Sequence, residues 1–280
     1  MPGEPLRLVA VAALLLACGG ACGGRSELDD GRQAGAASPD GSAGDALASC
    51  GAGGPTQTAY ALDGAGVLYR YDPATGRSTV LGAPDCGNAS VPWTMTASNE
   101  RAFIVYTDWT LDAVSLTTLA CTPTAFQSGQ LGLDAEFGVA AVGAGASEKL
   151  FVYGVPSGGS NAILAVSDTR SFVLAKLGDV LPSPAVGRFP VNLTADASGH
   201  LYAFSPLGLV EELDASNGTV LRSVDTGITS ETWATLAYGG ALYLWADSHV
   251  VGYDLASRAR TSDRDSGIYA IGAGTVSVCP

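Results

Sequence analysis

Positive charge is scarce in this chain. Lys149 and Lys176 are its only lysines, and Lys and Arg together number 14 against 27 Asp and Glu, a formal charge of -13. Nothing here could form the basic footprint that phosphate binding needs, which excludes nucleic acid as a partner. Adsorption to anionic lipid headgroups is disfavoured on the same ground. Metal ligands are equally few: His200 and His249 are the only histidines, both stand in short turn sequences, and neither belongs to an H-E-x-x-H spacing. No compact run offers the alternating oxygen ligands of a calcium loop. Neither a metal nor a cofactor is expected. Ser157-Gly158-Gly159-Ser160 lacks the G-x-S-x-G arrangement and the strand-to-helix context that exposes a nucleophile, so it reads as a hairpin loop. Helical periodicity is nearly missing after residue 56, which excludes a doubly wound α/β protein with its amphipathic stretches between strands.

Long apolar runs are lacking too. Leu8 to Ala17 carries no polar side chain, but as a helix it spans only about 15 Å, roughly half of a bilayer core. Residues 1–17 therefore read as a signal peptide. The tetrad Leu15-Leu16-Ala17-Cys18 resembles a bacterial lipobox, which implies that Cys18 is lipidated and becomes the first mature residue. Cys22 is a poorer candidate, since Gly19, Gly20 and Ala21 precede it. Several acyl chains, at about 0.8 kcal/mol per buried CH₂, would make the anchor effectively permanent. Residues 18–55 are rich in Gly, Ala, Ser and Asp and hold no aromatic residue, so they are expected to be a tether that cannot bury enough surface to order itself. Gly19, where an Asp would favour the inner membrane, points to the outer membrane.

Residues 56–280 form the body, long enough for one sizeable core. Its organising feature is a repeated apolar strand with a central aromatic: Tyr60, Phe103, Phe151, Tyr202 and Tyr243 recur at intervals of 43, 48, 51 and 41 residues. Each interval has room for about four short strands. A second landmark follows each strand: an apolar run, an acidic or hydroxyl residue, then a turn, clearest at Asp72 to Gly76 and Asp214 to Gly218. Those aspartates can accept from nearby backbone N–H groups, while the glycines tolerate positive φ. The pattern predicts an all-β fold, a β-propeller of five four-stranded blades. Gly267 to Gly274 comes too soon after Tyr243 to be an equivalent strand of a sixth blade. It matches the strand that opens each unit, which the first unit lacks, so it is expected to complete that blade and close the ring.

Six cysteines in an exported chain permit disulfides. With Cys18 lipidated, Cys22 is the one left over. A bridge from Cys86 to Cys121 would tie the second unit, and one from Cys50 to Cys279 would fasten the closure. Four cysteines allow three pairings, and the sequence does not choose among them. Candidate ligand-facing residues are Trp93, Trp109, Trp233 and Trp245, which lie within or beside the inner parts of units. Packing between adjacent blades is the stronger reading of them, with a ligand-facing role for one or two as the alternative. Asp108, Asp112, Asp247, Glu231 and Arg188 are polar neighbours that could line one mouth.

The lipobox and Gly-rich tether, the unit ending Tyr71-Asp72-Pro73-Ala74-Thr75-Gly76, Cys86 and Cys121, and the close from Ile271 to Pro280 together resemble predicted propeller-like lipoproteins of myxobacteria. The likeness spans nearly the whole chain and implies location and fold, not an activity. Individual units are distantly similar to sugar-lactonase-type and quinoprotein-type propellers. A lactonase-type enzyme would need a channel metal on Glu, Asn and Asp, a set not matched residue by residue here. The expected function is a noncatalytic binding or scaffolding module in the cell envelope, reached through the lipid anchor, with a protein or glycan partner. A metal-dependent lactonase or other envelope hydrolase, or a structural envelope component, are the alternatives.

Overall fold

A computed structural model describes residues 56–87, 90–181, 190–254 and 256–278. Residues 1–17 and 18–55, read above as a signal peptide and a tether, with Cys18, Cys22 and Cys50 among them, lie outside the described residues, as do Arg188 and Cys279. Among the described residues, no helix is long and apolar enough to cross a membrane.

The described residues form five four-stranded antiparallel sheets, the blades of a propeller. Blade 1 holds β1 (Thr56–Asp63), β2 (Leu68–Asp72) and β3 (Arg77–Gly82). Blade 2 holds β4 (Pro92–Ser98), β5 (Arg101–Tyr106), β6 (Leu111–Ser115) and β7 (Cys121–Pro123). Blade 3 holds β8 (Phe137–Val142), β9 (Lys149–Gly154), β10 (Ile163–Asp168) and β11 (Ala175–Asp179). Blade 4 holds β12 (Asn192–Ala195), β13 (Leu201–Phe204), β14 (Leu209–Leu213) and β15 (Val220–Asp225). Blade 5 holds β16 (Trp233–Tyr238), β17 (Ala241–Ala246), β18 (His249–Asp254) and β19 (Ala259–Asp265).

The last strand, β20 (Ala270–Val278), joins blade 1 as its innermost member. Tyr60 pairs with Gly274 and Asp63 with Ala270, so the ends of the propeller are stitched by backbone hydrogen bonds. The strand starts later than Gly267 and runs further than Gly274. Tyr269 stands just outside it with its side chain exposed.

The second strand of every blade shows why the ring holds together. Successive side chains of a strand point to opposite faces, and here both faces are covered by neighbouring blades. Along β5, Ala102, Ile104 and Tyr106 enter the core shared with blade 1, while Phe103 and Val105 enter the core shared with blade 3. Along β9, Leu150 and Val152 face blade 2, and Phe151 and Tyr153 face blade 4. The recurring aromatics Tyr60, Phe103, Phe151, Tyr202 and Tyr243 each pack into the interface with the following blade. Their repeat thus marks five interfaces around one circle. The outermost strands carry exposed polar residues, as along β3 and β19, which discourages pairing with another chain.

Turn chemistry follows the sequence landmarks. Asp72 Oδ1 accepts from the Ala74 N–H at 3.0 Å, and Asp214 Oδ1 accepts from the Ser216 N–H at 2.8 Å. Gly76 and Gly218 adopt φ of 74° and 79°. Asp168 and Asp254 repeat the arrangement. Donors aimed at the charged form lower all four carboxyls; the Ser171 N–H and hydroxyl take the leading part in holding Asp168 down at about 2.

Two further ties cross between units. Cys86 is bonded to Cys121, joining the segment before blade 2 to that blade's last strand. Glu148, 1% exposed, accepts from Arg101, from Asn99 Nδ2 at 2.9 Å and from Thr169 Oγ1 at 2.7 Å, so a satisfied buried carboxylate links blades 2 and 3.

Candidate functional site

The five innermost strands β20, β4, β8, β12 and β16 run in the same sense around the axis. Trp93, Asn192, Trp233 and Ile271 lie at one end, and Ser98, Ala195, Tyr238 and Ser277 at the other. Near the axis these strands approach closely: a Cβ on Gly272 would stand 2.2 Å from the Met95 backbone nitrogen. Little width remains for a channel.

Asn192, 2% exposed, fills what is left. From the start of β12 its Nδ2 donates to Thr94 Oγ1 of β4 at 2.9 Å and to the Ile271 carbonyl of β20 at 3.0 Å. Its Oδ1 accepts from the Thr235 N–H of β16 at 3.2 Å. One side chain therefore bridges four of the five inner strands across the axis. Its hydrogen bonds offset the cost of burying a carboxamide.

Above Asn192 a cavity of about 310 Å³ opens. Trp93 and Trp233 wall it, with ring centroids 6.3 Å apart and planes at 88°. Trp109 supports Trp93 from behind at 5.9 Å and leans on Phe137 at 5.8 Å. It does so from a left-handed backbone, φ 63°, unusual for a bulky residue. Glu231 is exposed at the rim and is the sole charged residue among the described lining residues. The loop that carries it is tied to the β17–β18 turn by Asp247, which accepts from Ser230 Oγ at 2.9 Å and Thr232 Oγ1 at 3.3 Å.

The four tryptophans thus divide. Trp93 and Trp233 line the cavity, and Trp109 holds Trp93 in place. Trp245 is fully enclosed between blades 5 and 1, edge-on to Tyr71 at 5.0 Å, and packs in the core there because its position in β17 turns it toward the next blade. Of the polar neighbours, Glu231 reaches the cavity itself. Asp108 caps the turn that carries Trp109, accepting from the Thr110 N–H at 3.1 Å. Asp112 is buried in β6 beside the disulfide, where burial and then Asp108 push its carboxyl up. Ligand atoms of Cys86, Asp112 and Cys121 lie within 4.8 Å of one another, but the two sulfurs are bonded to each other and so present no thiolates for a metal.

His200 and His249 sit exposed on hairpins, each 3.0 Å from an aspartate, Asp196 and Asp263. Ser157 lies in the loop after β9 and donates to Asp134. At the opposite end of the propeller, Gln57, Asp196, Tyr202 and Tyr238 contribute to a second hollow of about 210 Å³.

Sequence reasoning missed Asn192. The available signal was a carboxamide at the first position of an inner strand, where β16 starts with Trp and β8 with Phe.

No protein-family model matches the chain, and no curated protein matches it. Among solved structures, a chain of a nidogen/laminin complex is similar at TM-score 0.50 and 15% identity, over 79% of this chain and 98% of that one. Apo AztD from Citrobacter koseri gives TM-score 0.43 and 9% identity, covering 80% and 98%. A chain of the mitotic checkpoint complex gives 0.39 and 14%, covering 76% and 63%. At such identities a likeness speaks of fold alone. The chain is, by its own strand topology, a five-bladed β-propeller.

Proposed function

We propose that this protein is a noncatalytic binding or scaffolding module of the cell envelope, held at the outer membrane by a lipid on Cys18, with the tryptophan-walled end as its ligand face. The observation that supports this reading is the cavity itself. Its volume of about 310 Å³ sits at the lower end of the roughly 300–1,000 Å³ typical of small-ligand sites. Aromatic and aliphatic walls with a few polar groups at floor and rim are the ordinary make-up of such a site. Both N–H donors of the Asn192 amide are committed to neighbouring strands, and its Oδ1 accepts from a third.

Two experiments test it. The purified chain is screened against glycan and peptide arrays beside Trp233→Ala, and the expected result is a ligand whose binding the substitution abolishes. A ligand held equally by both proteins would move the site elsewhere. For the anchor, Cys18→Ser is expected to shift the protein from the membrane to the soluble fraction; unchanged membrane association would remove the lipid from the reading.

A further inference from the structure

We infer that the cavity takes a small alkylated ammonium ion, a quaternary or tertiary amine, seated in the corner between Trp93 and Trp233 with Glu231 at its open side. The inference rests on the binding reading above and names the ligand chemistry for that site.

Three observations combine. First, the indoles of Trp93 and Trp233 line one cavity with planes at 88°, so the corner they make can present aromatic surface to a compact group from two sides. The face of an indole carries negative quadrupole density and attracts a cation within about 6 Å of its centroid, more strongly than the other aromatic rings do. Second, among the described lining residues Glu231 is the only charged one. An anionic ligand would meet repulsion there, and a neutral sugar would find few unspent donors, since the Asn192 amide is already committed. Third, the site is preorganised. Trp93 is backed by Trp109, whose left-handed turn is fixed by its N–H to the Tyr106 carbonyl at 2.8 Å, and the Glu231 loop is pinned by Asp247. Rigid walls suit a small, poorly hydrated cation, because little ordering remains to be done on binding.

Depth also favours a compact solute. The floor is Asn192 and Thr94, both nearly fully buried, so a long chain cannot thread past them. Methyl groups on nitrogen would bury against indole carbons, while the charge stays close enough to Glu231 to be paired.

Isothermal titration of the full chain with choline, and with its uncharged isostere 3,3-dimethyl-1-butanol, tests the inference. Choline is expected to bind at least about tenfold tighter than the isostere, a difference in the range of a desolvated cation–π contact. Glu231→Gln, at an exposed position where folding is not at stake, is expected to weaken choline roughly threefold and leave the isostere unchanged. Trp233→Ala is expected to abolish both, with circular dichroism confirming that the fold persists. Equal affinity for the two compounds would overturn the cationic ligand while leaving an apolar binding site in place. Absence of choline binding to the folded chain would overturn the inference as well, and the array screen above then decides separately whether the cavity binds anything. Tighter binding of an unmodified lysine peptide than of choline would reassign the site to a protein partner.

Discussion

Replacing Gly274 by alanine adds a single methyl group where two inner strands are pressed together. Gly274 lies in β20, paired with Tyr60 on one side and pressed against β4 on the other. A Cβ there would stand 2.1 Å from the Ala97 nitrogen and 2.8 Å from the Thr96 carbonyl carbon. Ordinary contacts begin near 3.4 Å, so β20 and β4 would have to part by more than about 1 Å. The atoms it meets are backbone, which no rotamer change can move. Overpacking of this kind costs typically 1–3 kcal/mol, and the upper end applies because the separation also loosens the seam between blades 1 and 2. Lower chain entropy in the unfolded state returns about 0.4–1 kcal/mol. A net loss of about 2 kcal/mol lowers the melting temperature of a domain this size by roughly 4–8 °C. Thermal melts followed by far-ultraviolet circular dichroism measure it. Gly64→Ala is the control, since its nearest atom, on Ile271, is 4.0 Å away and its φ lies outside the left-handed region. If Gly274→Ala melts within 1 °C of the parent, or no lower than Gly64→Ala, the close packing of the inner strands is refuted.

Reducing the Cys86 to Cys121 bond, or replacing both residues by serine, removes a cross-link spanning 35 residues; urea titration is expected to show a loss of about 2–4 kcal/mol. Glu148→Gln keeps the shape of the side chain but removes the charge that answers Arg101. Because Arg101 retains 42% of its side-chain exposure, a loss of about 1–2 kcal/mol is expected by the same titration, below the cost of breaking a fully buried pair. Stability should also fall at both extremes of pH. Burial pushes the phenols of Tyr71 and Tyr106 up to about 12 from the ordinary 10.0, so their contribution is complete below pH 10 and drains away as the pH climbs through 12. The turn carboxyls behave in the opposite sense: Asp168, held at about 2 against 3.8, contributes above pH 4 and loses that contribution as the pH drops through 2. Equilibrium unfolding measured at pH 3, 7 and 11 is expected to give its highest midpoint at pH 7.

Much of the architecture was legible because it obeys local rules. The five central aromatics repeat since each strand that carries one is sandwiched between two blades, and Asp-to-Gly turns repeat since each hairpin meets the same backbone geometry. Closure was legible by subtraction, through one opening strand missing at the start and one spare at the end. The site was harder to read. Trp245 and Trp233 belong to the same blade, yet the first faces the next blade and the second faces the axis, a difference set by which strand each occupies and on which side of the pleat. A carboxamide opening an inner strand was the one local sign at Asn192, and it could not reveal the role, because the partners Thr94, Thr235 and Ile271 are separated from it by 98, 43 and 79 residues. Only the closed ring brings them within reach.

The Asn192 crossing makes the domain a cup with a sealed bottom, not a pipe. Whatever enters past Trp93 and Trp233 must back out by the same doorway, so arrival and departure compete for one passage and nothing is relayed through to the far side. Traffic across the axis would need the Thr94, Thr235 and Ile271 hydrogen bonds broken together, and the same act would unfasten four blades at their hub.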